Sequence, residues 1–145
     1  MTSGFRNRTY TDSELINMPT SFLAYIGDTV FELHTRTNTI TLKAGSIQEI
    51  HCATVSRVRA GAQAAAVRGM MDFLTEAEQD LVRRARNAHQ GTTAKHATKA
   101  DYRLATAFEC LLGFLYLKGD DERLAQIMTK ADEIIGQLPA RSVNG

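Results

Sequence analysis

From Leu104 to Leu117 the chain reads LATAFECLLGFLYL, and apart from Cys110 and Tyr116 its only ionisable residue is Glu109. A helix that is apolar nearly all round cannot lie on a surface, so other elements must surround it. The segment therefore predicts a central helix over about Lys99 to Leu117, stopped by Gly119. An unpaired carboxylate within such a helix is costly and either takes up a proton or acquires a partner. Glu109 needs a cation, a hydrogen-bond network or a metal ion. An arginine such as Arg36 or Arg103 would also serve, as an ordinary buried ion pair.

The rest of the chain supplies the surrounding helices. A first helix is expected from about Pro19 to Lys43, with proline in its opening turn and Gly45 past its end. Phe22, Ile26, Val30, Leu33, Thr37 and Ile40 step by three and four and share one face of it. Ser46-Ile47-Gln48-Glu49 reads as a capping box opening a second helix, which runs through AGAQAAAV to about Met71. Thr75 to Glu78 opens a third, ending near His89; Gln90 to Thr98 reads as an exposed loop, and a fifth helix spans about Asp121 to Ile135. No alternating apolar and polar run marks a strand. The expected fold is all-α, a bundle of about five main helices.

At 145 residues the chain has room for one domain. We divide it into an N-terminal extension (1–14), a folded unit (15–138) and a frayed tail (139–145). Hydrophobic residues at 43% and charged residues at 23% exclude a disordered or low-complexity chain. No run of about 18 apolar residues would span a membrane. The first residues lack the apolar core of a secretory signal. Cys52 and Cys110 have no CxxC spacing and are expected as free thiols in a reducing compartment, which points to the cytoplasm.

Asp28 repeats the anomaly of Glu109, since it is the sole charge between Asn17 and Phe31. It falls in a row with Glu32 and Arg36, opposite the Phe22–Ile40 stripe. A solvated polar face with a Glu32–Arg36 pair would explain that row blandly. Yet Gly27 precedes Asp28, and Gly113 lies one turn after Glu109. Glycine inside a helix costs about 1 kcal/mol relative to alanine, so each suggests a close backbone approach. Crossing there would bring two carboxylates together, a donor set suited to magnesium or manganese.

Between the two acids lies a basic stretch. From Arg83 to Arg103 the net charge is +5, against +1 for the whole chain. Arg84, Arg86, Lys95, Lys99 and Arg103, with the uncharged donors Asn87, Gln90, Thr92 and Thr93, could form a phosphate-binding edge. Taken alone, a solubilising surface loop would account for it as well. His34, His51, His89 and His96 lack metal-ligand spacing, and Cys110 is expected as core packing rather than a nucleophile.

Three segments together resemble the ribonuclease III family in its short form, mini-ribonuclease III. The first is Leu23 to Glu32, LAYIGDTVFE, around the Gly-Asp pair. The second is Arg84-Ala85-Arg86-Asn87-Ala88, followed by Gly91-Thr92-Thr93 and Lys95. The third is Tyr102-Arg103 with Ala105 to Leu117, ATAFECLLGFLYL. The similarity runs from about Leu15 to Ile135, without an appended domain. It implies a homodimeric, magnesium-dependent (manganese as the alternative) endonuclease that cuts double-stranded RNA to 5′-phosphate and 3′-hydroxyl ends. Asp28 and Glu109 carry over as the catalytic, metal-binding carboxylates, and Arg84, Arg86, Asn87, Thr92, Thr93, Lys95, Lys99 and Arg103 as RNA contacts. Glu32 carries over as a supporting acid rather than a primary ligand. Two further acids of full-length members fall at Ala24 and Thr106, and this chain departs from the mini pattern at Ala85, Ala94 and His96. The implied pathway is maturation of large-subunit (23S) precursor ribosomal RNA, with a ribosomal protein as a possible helper. A non-catalytic RNA-binding or ribosome-assembly module on the same fold is the alternative, and a plain protein-interaction bundle a third reading.

Overall fold

The computed structural model describes residues 5–42, 45–88 and 98–139. Among them are α1 (Asp12–Ile16), α2 (Thr20–Leu42), α3 (Ile47–Val58), α4 (Ala60–Met70), a 3-10 turn at Met71–Phe73, α5 (Glu76–Asn87), α6 (Lys99–Lys118) and α7 (Asp121–Gly136). No strand occurs among the described residues. The apolar segment forms α6, which lies at the centre with α2, α4, α5 and α7 packed around it. Phe108, Leu111 and Leu112 are fully buried, and the Phe108 ring meets Phe31 of α2 edge-on at 5.1 Å. Thr98 caps the start of α6 by accepting from the Asp101 N–H, and the helix ends at Gly119 with φ 85°.

One expectation about the helices is corrected. The segment from Ser46 to Met71 is two helices, not one: Arg59 is extended (φ −61°, ψ 155°), closing α3 and opening α4. The break lets α3 pack on α2 while α4 turns to pack on α6 and α7. One straight helix could not reach all three. Of the Phe22–Ile40 stripe of α2, Phe22, Leu33 and Ile40 face outward, exposed at 59%, 56% and 62%, while Val30 packs partly against the core. The core side carries Leu23, Ala24, Gly27, Phe31, Thr35 and Thr39, whose smaller members allow α6 to approach. Close packing, rather than apolar area, decided which face turned in.

The sequence reading also passed over α1. Thr11 and Glu14 form a full capping box there, and Leu15 is completely buried. Residues ahead of it are docked too. The Tyr10 N–H donates to the Leu117 carbonyl at 2.9 Å, and Arg6 pairs with Asp121 while lying over the Tyr116 ring. The boundary drawn between 14 and 15 therefore falls inside a helix. Thr75 and Glu78 make the expected capping box of α5, and the buried Glu78 carboxylate is clasped by Arg123 at 2.7 and 2.9 Å. His89 and the end of the tail from residue 140 lie outside the described residues.

Candidate active site

Helices α2 and α6 cross antiparallel at two glycines. A Cβ on Gly27 would stand 1.7 Å from the Glu109 carbonyl oxygen, and one on Gly113 would stand 1.9 Å from the Leu23 carbonyl oxygen. Backbone presses on backbone at both points, so only glycine fits. This contact sets the register: Gly27 lies against Glu109, and Asp28 follows it in the chain. The two carboxyl groups meet as a result, near enough for Asp28 to act on Glu109 through both charge and a hydrogen bond.

Glu109 is the deeper of the two and Asp28 the exposed one. Burial, followed by the Asp28 charge, pushes the Glu109 carboxyl up to about 8 from its ordinary 4.5. The opposing influence is Gln63 of α4, whose Nε2 donates to Glu109 Oε2 at 3.4 Å. Among the described residues neither acid forms a salt bridge. Arg36 pairs with Glu32 at 3.6 Å instead, so it does not neutralise Glu109. The structure thus disfavours the ordinary ion pair.

Two hard oxygen donors pressed together, with no cation of the described residues between them, suit a divalent ion of the magnesium type. Among the described residues no three His, Cys, Asp or Glu side chains gather as a metal cluster. The site therefore offers two carboxylates. Ala24 and Thr106 occupy the places one helical turn from Asp28 and Glu109; both are buried, and the Thr106 hydroxyl donates to the Tyr102 carbonyl at 3.0 Å. Cys110 is buried, and burial pushes its thiol up to about 12, so it packs and does not attack. His34 is held by Asp132 at 2.7 Å and stacks on Phe31, away from the two acids.

The basic residues divide. Lys99 and Arg103 are exposed on α6, roughly 15 and 9 Å along the axis before Glu109 at 1.5 Å per residue. Arg86 and Asn87 are exposed at the end of α5, linked at 3.3 Å. Arg84 is exposed but lines a different groove, with Glu78, Lys118 and Arg123 and the Leu111, Phe114 and Leu115 side of α6. At about 100° per residue that side faces away from Glu109. Thr92, Thr93 and Lys95, with Gln90, Ala94 and His96, lie outside the described residues. Ala85 is completely buried, so its difference from glycine is a matter of packing.

Gln63 is the site residue that sequence reasoning missed. The signal was present: from Ala60 to Val67 it is the sole polar side chain, as Glu109 is in its own segment. The alanines on either side of it speak for helix propensity and say nothing of which way the amide faces.

The chain's relatives are consistent. The ribonuclease III domain profile matches residues 21–120. A mini-ribonuclease 3 of Thermoanaerobacter is 41% identical over 125 residues, covering 86% of this chain and 88% of that relative. One from Gloeobacter violaceus is 48% identical over 111 residues, covering 77% and 80%. A crystal structure of a Fusobacterium nucleatum protein superposes with a TM-score of 0.73 at 25% identity, covering 78% of this chain and 92% of that one.

Proposed function

The chain belongs to the ribonuclease III family and is an endoribonuclease, and from that premise we propose that Asp28 and Glu109 are the carboxylates with which it hydrolyses double-stranded RNA. The observation that carries the assignment is the meeting of two acids at the glycine crossing, one of them half-buried and, among the described residues, neither paired with a basic side chain. Asp28 and Glu109 would hold a magnesium ion, with manganese as the alternative, and the chemistry it would supply is Lewis-acid activation of water and offset of charge on the phosphate oxygens. Hydrolysis in this manner leaves 5′-phosphate and 3′-hydroxyl ends.

The chain's own residues prepare that chemistry. Asp28, at the surface, is open to the incoming phosphate. Glu109, protonated near neutral pH when no ion is bound, must release its proton to become a ligand. Burial that disfavours the bare carboxylate also limits its solvation by water, so an ion gains a strongly attracting donor. Arg86, Asn87, Lys99 and Arg103, all exposed, form a phosphate-gripping rim; Thr92, Thr93 and Lys95 lie outside the described residues. A-form RNA presents its phosphates and 2′-hydroxyls across a wide minor groove, so such a rim reads shape rather than sequence. Arg84, on the far side of α6, contributes through the general positive potential rather than at the cut.

The outward apolar face of α2 supports a homodimer, which doubles the rim. A precursor of large-subunit ribosomal RNA, structured and double-stranded in part, is the substrate we infer, with a ribosomal protein as helper to a small footprint. The reaction takes place in the cytoplasm in this reading; no helix among the described residues is long and apolar enough to cross a membrane.

The test is cleavage of a double-stranded RNA in magnesium and then in EDTA. Asp28→Asn and Glu109→Gln should each lower the rate by about 10²–10³ or more, and EDTA should abolish it. Undiminished cutting by both variants would remove the site assignment; binding of RNA without any cutting by wild type would favour a non-catalytic module.

A further inference from the structure

Gln63 is only 3% exposed, a side-chain amide set among buried alanines of α4. Its Nε2 donates to the Val58 carbonyl at 2.7 Å and also faces Glu109 Oε2 at 3.4 Å. The Val58 carbonyl can only accept, which fixes which end of the amide points where: a flipped amide would set oxygen against the Val58 oxygen at hydrogen-bond distance. Gln63 therefore meets Glu109 as a donor. The amide oxygen is turned the other way, buried and without a hydrogen-bond partner among the described atoms. Leaving an acceptor in that state has a cost.

The Val58 carbonyl is available because of the break at Arg59. In a continuous helix it would accept from an N–H four residues on; at the break the Gln63 side chain takes it from the first turn and a half of α4. The kink, the amide and the acid thus form one connected series: α3 ends, its last carbonyl anchors Gln63, and Gln63 reaches across to the face of α6.

We propose that Gln63 is a positioning residue, an amide braced by the Val58 carbonyl that holds the Glu109 carboxylate in the orientation needed to take a divalent ion beside Asp28. The inference rests on the reading of Asp28 and Glu109 as the ion-holding pair. A donor fixed on one oxygen of a carboxylate leaves the other free and restricts its rotation, and removing such outer partners typically weakens metal affinity about 10- to 100-fold.

Gln63→Met keeps the length and burial of the side chain and removes the donor. Electron paramagnetic resonance of free Mn²⁺ over the RNA-free protein reads affinity without any turnover. Gln63→Met should bind Mn²⁺ at least about tenfold more weakly than wild type. In cleavage assays the magnesium concentration for half-maximal rate should rise by a similar factor, with KM for RNA unchanged and the rate substantially recovered at saturating magnesium. A purely structural residue would instead lower the rate at every magnesium level. Wild-type Mn²⁺ affinity in Gln63→Met, alongside lost affinity in Asp28→Asn, would overturn the role of Gln63 and leave the acid pair standing. Unchanged affinity in both Asp28→Asn and Glu109→Gln would instead overturn the pair itself. If Gln63→Met does not fold, the side-chain amide signals of Gln63 in wild type, followed by ¹⁵N–¹H NMR, decide the matter. They should move as Mg²⁺ saturates the protein and stay still in Glu109→Gln; signals unmoved in wild type overturn the proposal.

Discussion

Glu109 concentrates most of what is unusual about this molecule. Its carboxyl is pushed up to about 8 by burial and by Asp28, against 4.5 in an unfolded chain. Between those values the folded chain holds a proton that the unfolded chain has released, so unfolding free energy falls as pH rises through that window. In EDTA the wild-type melting temperature should drop by several degrees from pH 5 to pH 8, at about 3 °C per kcal/mol for a domain of this size. Glu109→Gln should remove most of that slope and melt above wild type at pH 8, and differential scanning calorimetry at both pH values checks it. Equal slopes in the two proteins would show that Glu109 is already ionised in the fold. That this acid mattered was legible in the sequence, because a lone charge among leucines and phenylalanines has few innocent explanations. Gln63 was not, because an uncharged amide among alanines does not state whether it faces water or a neighbour.

The elements meet where side chains are missing. At Gly27 and Gly113 the helices α2 and α6 touch backbone to backbone, and an added methyl would collide with a carbonyl oxygen at 1.7 or 1.9 Å. Neither carbonyl belongs to a flexible side chain that could yield. Gly27→Ala or Gly113→Ala should therefore destabilise the fold by about 3 kcal/mol or more, despite the better helix propensity of alanine. Either change should also push Asp28 away from Glu109, so Mn²⁺ affinity falls together with the urea midpoint. A substitution that stabilised the chain would mean that the helices do not cross there. The crossing was anticipated from the two glycines. The break at Arg59 was not, since the residue before it, the residue after it and the alanine run beyond all suit a continuous helix.

At the scale of the whole molecule, the outward face of α2 calls for a partner. Phe22, Tyr25 (79% exposed), Leu33 and Ile40 form an apolar row along one helix, and Phe22 and Tyr25 join Tyr10, Met18, Ile26 and Leu117 around an adjoining apolar groove. Monomeric proteins seldom leave such a row to water. A second copy on this face should give wild type a sedimentation mass of about twice 16.0 kDa. Tyr25→Glu with Leu33→Glu should shift it to the monomer while leaving its circular dichroism unchanged; a wild type that sediments as a monomer removes the dimer from the proposal. The sequence marked Phe22, Leu33 and Ile40 as part of one stripe without showing that they look outward.

What the sequence determined alone was the helical class, most helix ends, the central place of α6 and that Asp28 and Glu109 stand as lone charges in apolar company. Each of these follows from local chemistry: capping side chains, apolar period, and the cost of a charge in an apolar segment act within a few residues of where they are written. Tertiary structure decided which face of α2 is buried, where the second long helix bends, that Arg84 lies on the far side of α6, and that Gln63 reaches Glu109. Those depend on how closely two backbones can approach and on which surface remains once they have. Close packing is a property of pairs of elements, and no single stretch of chain contains it.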